Sequence, residues 1–259
     1  MRVFFLGTAS GLPVQDRFSQ TIVLELNGEL HIIDPADAAS SLLARARLDH
    51  RKIRSVVVSH MHADHHVGLI QVLKTAMHLG KQTSIQILFP SEGIEPLTTF
   101  LNACYLPIEW LGYPVDIHGI TAEPHAVNEH LVFEAQLNKH LNPYRARAAG
   151  EPFSRAWQYQ SYSFAITAKN RRFVYTGNLG KGLQEIAGLI SEDSVLITEA
   201  AHLKVDDILA ELETLQPCHT YLTHFHPSLR AAELQEAIVR RGLSERVTLA
   251  YDGLVCEFD

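Results

Sequence analysis

Between Ser59 and Gly68 the chain reads His60-Met61-His62-Ala63-Asp64-His65-His66. His60, His62, Asp64 and His65 are side chains able to ligate a metal. Neutral imidazoles together with a carboxylate suit zinc and other first-row dications. Several imidazoles buried without a cation would leave donors and acceptors unmatched, so a metal centre is the better reading of the cluster. His60 and His62 stand two apart in an extended segment and project to one side. Asp64 and His65 lie around the following turn and can face a second position. The pattern therefore predicts two adjacent divalent metal ions.

The elements on either side must hold this cluster still. Ile53 to Val58 is dense in β-branched residues and reads as a buried strand. Val67 to Leu79 repeats its apolar residues at roughly helical intervals. Elsewhere, strands are expected at Arg2 to Leu6, Thr21 to Leu26, Glu29 to Asp34, Ser84 to Phe89, Leu131 to Leu137 and Tyr159 to Thr167. Others follow at Arg172 to Tyr175, Val195 to Thr198, Thr220 to Thr223 and Val247 to Tyr251. Asn27-Gly28 is a two-residue hairpin signal. Helices are expected at Asp37 to Leu48, Ile94 to Leu106, Val205 to Leu215 and Leu229 to Arg241. Strands that come both as hairpins and alternating with helices fit two sheets covered by helices, in one α/β domain over residues 1–259.

Composition narrows the function. Hydrophobic residues make up 46% and charged residues 20% of the 259, which describes a globule with a real core, and no apolar run approaches membrane-spanning length. The opening residues are too short for a signal-peptide core. Cys104, Cys218 and Cys256 have no paired spacing and read as buried thiols in a reducing compartment. A cytoplasmic protein with no membrane partner is expected. The net charge of −7 argues against a grip on long nucleic acid.

Two metals need more ligands, and strand ends are the places to look. His140 follows the Leu131 to Leu137 strand, Asn178 follows Tyr175-Thr176-Gly177, and His224 ends Tyr221-Leu222-Thr223. Each alone could be a structural residue; with the first cluster they complete a set.

These pieces resemble the metallo-β-lactamase fold superfamily, in its branch of ribonuclease Z-like phosphodiesterases. The resemblance runs through Phe5-Leu6-Gly7-Thr8-Ala9-Ser10-Gly11-Leu12-Pro13, Ile32-Ile33-Asp34 and Ser59-His60-Met61-His62-Ala63-Asp64-His65. It continues through Ser161-Tyr162-Ser163-Phe164, Tyr175-Thr176-Gly177, Glu199-Ala200 and Leu222-Thr223-His224-Phe225. It implies a four-layer αββα sandwich. It also implies one metal on His60, His62 and His140, and a second on Asp64, His65 and His224, with zinc expected and manganese or iron as alternatives. Asp34 matches an aspartate that supports a ligand histidine from behind. Position 178 matches the family's bridging aspartate, and here it is Asn178. At ~4 Å and an effective dielectric near 20, each lost charge interaction is worth roughly 4 kcal/mol before solvent adjusts. The second metal should bind less tightly as a result. A natural variant with a different metal load, a non-catalytic member and an inactivating substitution all remain open.

Such a centre supports attack on phosphorus by a metal-bridging hydroxide, oriented by Asp64. His202 is the candidate proton donor to the leaving oxygen, with Glu199 as its orienting partner. Asn142-Pro143-Tyr144-Arg145-Ala146-Arg147 and Arg155-Ala156-Trp157-Gln158-Tyr159 read as a loop whose cations and aromatics could bind a phosphate and stack a base. The long basic arm and the His-Ser/Thr-Thr element of true ribonuclease Z enzymes are missing. The substrate expected is therefore a small phosphodiester such as a cyclic nucleotide. The alternatives are a lactone or thioester hydrolase, a tRNA 3′-processing ribonuclease Z, and a binding protein weakened by Asn178. Homodimers are common among such relatives, and no residue here demonstrates one.

Overall fold

Asn27 and Gly28 adopt φ of 52° and 82°, the left-handed pair that a type I′ hairpin demands. They join β2 (Thr21–Leu26) to β3 (Glu29–Ile33) as the sequence predicts. The computed structural model describes Met1–Asp259 throughout. Its backbone contacts separate a first unit, Met1–Ile120 with Tyr251–Asp259, from a second, Thr121–Ala250.

The first unit adds β1 (Arg2–Gly7), β4 (Ile53–Val57), β5 (Ile85–Phe89), β6 (Val115–Gly119) and β14 (Leu254–Glu257) to form a seven-stranded sheet ordered β14-β1-β2-β3-β4-β5-β6. β1 and β3 are both antiparallel to β2, and β4 is parallel to β3. The C-terminal ends of β1, β3 and β4 therefore share one sheet edge, where ligand sites of open α/β sheets gather. Val23, Ile32, Val56 and Ile87 line one face of the sheet. Leu42 and Leu43 of α1 (Ala39–Arg45), Val72 and Leu73 of α3 (Leu69–His78), and Leu97 and Leu101 of α4 (Ser91–Ala103) pack on it. Each such burial contributes roughly 1.5–3 kcal/mol. One turn, α2 (Ala63–His66), sits between β4 and α3 and carries half of the histidine cluster.

The second unit contains β7 (His125–Asn128), β8 (Leu131–Leu137), β9 (Tyr162–Ala168), β10 (Arg171–Tyr175), β11 (Val195–Glu199), β12 (His219–Thr223) and β13 (Val247–Leu249), ordered β13-β12-β11-β10-β9-β8-β7. β10 to β13 are parallel, and β9 runs against both β8 and β10. The ends of β8, β10, β11 and β12 thus share one edge in this sheet too. β11 is buried along its whole length, as a central parallel strand should be. Ile208, Leu209 and Leu212 of α6 (Val205–Leu215) and Leu234 and Ile238 of α7 (Ala231–Arg240) pack over it. No helix is long and apolar enough to cross a membrane.

Several expectations need correcting. The helix read at 37–48 spans only Ala39–Arg45, because Arg47 turns left-handed at φ 58°. The strand read from Tyr159 starts at Tyr162, since Tyr159 has φ 58°. Asn142 to Arg147 is not a loop but a short helix, α5 (Asn142–Arg147), with proline in its first turn, where the missing N–H costs nothing. β6, β7 and β14 escaped the sequence reading because short edge strands lack a full apolar pattern. The cysteines are free, but they are not buried thiols. Cys104 and Cys218 are exposed at a helix end and a strand entry, and Cys256 is half-buried on the edge strand β14.

The loop after β1 is fastened by residues just before β14. Asp252 Oδ1 accepts from Thr8 Oγ at 2.7 Å, and Oδ2 accepts from the Phe18 N–H at 2.6 Å. Arg17 donates to the same Thr8 oxygen at 2.7 Å. We expect Asp252→Ala to cost about 1.5–2 kcal/mol in urea unfolding, the lower part of the range for hydrogen bonds to a charged group because Asp252 is only half-buried. An unchanged midpoint would mean that water substitutes for the carboxylate.

Candidate functional site

Asp34 follows β3 at φ 50° and is fully buried. Its N–H donates to the Val57 carbonyl at 2.9 Å, which ties it to the end of β4. Its carboxylate then gathers that strand end. Oδ1 accepts from the Ser59 N–H at 2.7 Å, while Oδ2 accepts from Ser59 Oγ and His65 Nδ1, each at 2.7 Å. With the Ser59 hydroxyl proton committed to Asp34, the 3.0 Å contact of Ser59 Oγ with His60 Nδ1 has the histidine as donor. One carboxylate thus sets the tautomer of two imidazoles and turns Nε2 of each into the nitrogen for a ligand bond.

The rings themselves are close. His60 lies 4.6 Å from His62 and 4.1 Å from His65, centroid to centroid. His62 caps α2, and Asp64 Oδ2 stands 3.4 Å from His65 Nε2. Burial disfavours charge on His65, but Asp34 and Asp64 outweigh it and raise its pKa to about 9. A cation at Nε2 must displace that proton. Gly11 explains the glycine in the loop after β1, because a Cβ there would come within 2.8 Å of the Asp64 carboxylate.

In the second unit His140, Asn178, Glu199 and His224 are all buried at the shared edge of the sheet. Asn138 holds the His140 turn. Its Oδ1 accepts from the His140 N–H at 3.2 Å, and its Nδ2 donates to Ser163 Oγ at 3.1 Å and the Thr176 carbonyl at 3.4 Å. Asn178 follows Gly177, whose φ of 57° turns the chain after β10. Glu199, the last residue of β11, accepts from Leu179 N–H at 2.7 Å through Oε1. Through Oε2 it accepts from the N–H groups of Ala201 and His202 at 3.0 and 2.7 Å and pairs with His202 Nδ1 at 2.9 Å. The His202 ring lies 4.7 Å from His140 and stacks on His224 at 5.8 Å. The structure therefore places the His202–Glu199 pair beside two expected ligands, not on a remote surface. His224 takes φ 53° directly after β12.

The side chains able to hold a metal are His60, His62, Asp64 and His65 in the first unit and His140 and His224 in the second. This donor set of imidazoles and one carboxylate fits a borderline divalent ion such as zinc. Asn178 contributes an amide and no charge. Other histidines serve the fold: His31 bonds Ser55, His50 bonds Ser40, and His66 donates to the Met61 carbonyl. Ser59 and Asn138 were missed as positioning residues. Serine before a histidine and asparagine two residues before one carry no signal until the strand ends meet.

Comparison with known proteins places this geometry in context. A family model described as "Anti-Pycsar protein Apyc1" matches residues 1–242. The chain is 28% identical over 148 residues to ribonuclease Z of Methanosarcina mazei, covering 55% of this chain and 46% of that protein. It thus spans about half the length of the curated relatives it matches. Among solved structures, the metallo-β-lactamase fold protein YhfI from Bacillus subtilis aligns with a TM-score of 0.75 at 17% identity over 98% of both chains. Zn(2+)-bound PqqB from Methylobacterium extorquens aligns at 0.76 and 13% identity over 100% of both. These likenesses show the metallo-β-lactamase fold, as the sequence resemblance implied.

Removing the Asp34 charge tests the supporting role directly. Asp34→Asn should lower zinc affinity about 10–100-fold, read by competition with a chromogenic chelator, with far-UV circular dichroism unchanged. Undiminished affinity would sever Asp34 from any ligand role.

Proposed function

The chain belongs to the family described as anti-Pycsar protein Apyc1, and from that membership we propose that it is a metal-dependent phosphodiesterase acting on a small phosphodiester such as a cyclic nucleotide. The observation that carries this reading is the donor grouping. The first unit supplies His60, His62, Asp64 and His65 as donors and the second supplies His140 and His224; in this reading His60, His62 and His140 would hold one cation and Asp64, His65 and His224 the other. Two ligand sets sharing the strand ends of one fold are what a paired-cation hydrolase requires. When bound, divalent cations supply polarisation of a phosphoryl oxygen and ease the ionisation of water.

The chain's own residues supply the rest. Asp34 fixes His60 and His65 through their Nδ1 atoms, as described. Glu199 accepts a hydrogen bond from His202 Nδ1–H, which leaves Nε2 free to take up a second proton from solvent and pass that proton to the leaving oxygen. The three backbone N–H groups on Glu199 fix the orientation of its carboxylate, so His202 is held in one rotamer. Cleavage of a phosphodiester accords with the ribonuclease Z relative. The net charge of −7 favours a compact ester over a long polyanion.

A panel of bis-p-nitrophenyl phosphate, a 3′,5′-cyclic mononucleotide, a lactone and a thioester, each assayed with zinc, manganese or iron, tests the reading. Turnover confined to the phosphodiesters supports it; turnover confined to the lactone or thioester replaces it with a carbonyl hydrolase. His202→Ala and Glu199→Gln should each lower kcat about 10²–10⁴-fold while metal content stays constant. A loss of metal in either variant would make that residue part of the ligand shell instead.

Asn178 gives a separate test. Asn178→Asp should raise the affinity of the weaker metal and increase kcat, measured by metal titration and by bis-p-nitrophenyl phosphate hydrolysis. If Asn178→Asp binds two metals and is still inert on every substrate, the protein is a binding module and the hydrolase reading is wrong.

A further inference from the structure

The segment after His140 carries large aromatics that the fold leaves in water. Tyr144, Phe153 and Trp157 are 41%, 63% and 45% exposed, and exposed aromatics gathered in one place mark a binding surface. With Arg147, Ala148 and Glu151 they line a pocket of about 410 Å³, within the span of small-molecule sites. The rings form a row. Phe153 and Trp157 lie 5.5 Å apart at 55°, and Trp157 meets Tyr159 edge-on at 6.1 Å. Arg145 lies over the Tyr159 ring, 5.2 Å from its centroid.

The pocket is preorganised. Ser154 Oγ lies 2.8 Å from the Ala148 carbonyl and 2.9 Å from that of Glu151, and the Trp157 N–H donates to the Ser154 carbonyl at 3.0 Å. α5 starts two residues after His140, and at about 1.5 Å per helical residue Arg147 lies roughly 10 Å along from it. That is about the length of a nucleotide from phosphorus to base.

We propose that this aromatic pocket is a nucleobase subsite, in which Trp157 and Phe153 stack the base and Arg147 and Glu151 read its polar edge. The proposal deepens the phosphodiesterase reading and rests on it for the position of the phosphate. A flat π-face with ring acceptors and N–H donors matches the pocket: aromatic walls take the face, a guanidinium donates to ring acceptors, and a carboxylate accepts from N–H groups. An aliphatic acyl chain would leave both charged groups unused.

Trp110 and Trp157 are the only tryptophans, and Trp110 is 71% exposed, so Trp110→Phe isolates the Trp157 fluorescence. In that protein, adenosine or cytidine 5′-monophosphate should quench saturably after correction for absorbance, while ribose 5-phosphate should not. Quenching by neither nucleotide, or equally by ribose 5-phosphate, overturns the subsite. So does a concentration-dependent blue shift without nucleotide, which would mean that a second copy covers the rings. This readout needs no turnover and stands even if the hydrolase reading fails. In the active enzyme, Trp157→Ala should raise KM for a cyclic mononucleotide on the order of tenfold. The kcat for that substrate and the metal content should not change. A fall in kcat or in metal content, with KM unmoved, would make Trp157 structural.

Discussion

A buried carboxylate must be matched by donors on every side, and Asp34 meets that demand by drawing two strand ends together. The Ser59 N–H, the Ser59 hydroxyl and the His65 ring all point at it. An unpaired charge in that place would cost several kcal/mol, so the Ser59 to His65 turn has one arrangement and not many. The left-handed φ of Asp34 is strain held in place by the same contacts. Much of the geometry of the first histidine cluster follows from this single group.

The second unit solves the same problem with Glu199. It too ends a parallel strand, is buried, and accepts backbone N–H groups from neighbouring turns before it meets a histidine. The two carboxylates differ in what they hold. Asp34 fixes rings that can ligate, whereas Glu199 fixes a ring that can move a proton. Seven-stranded sheets that place several strand ends on one edge make room for both tasks.

How much of this was legible depended on the range of the interaction. The His60 to His65 cluster, the Asn27-Gly28 turn and the central strands were readable because residue type and spacing are local properties. His140 and His224 were found as strand-end histidines, but their roles came from the resemblance and not from any pattern of their own. Asn138 and Ser59 stayed hidden, since their bonds join segments far apart in the chain. The aromatic segment was read as a loop, and its first part is a helix. Tyr144 to Arg147 lacks an apolar period, and only the proline at the helix start hinted at α5. The cysteines show the limit of composition, because burial of a thiol depends on where its residue falls in the fold: a helix end for Cys104, a strand entry for Cys218 and an edge strand for Cys256.

The sheet of the first unit is finished by a strand drawn from the far end of the chain. β14 pairs with β1, Asp252 grips Thr8 and Phe18, and the Phe258 N–H reaches the Met1 carbonyl. During synthesis β1 leaves the ribosome before β14, and the whole second unit lies between them, so that unit must emerge before β1 gains its outer neighbour. Until then the nascent chain carries an open hydrogen-bonding edge beside Phe4 and Phe5, a window in which chaperones would have the most to shield.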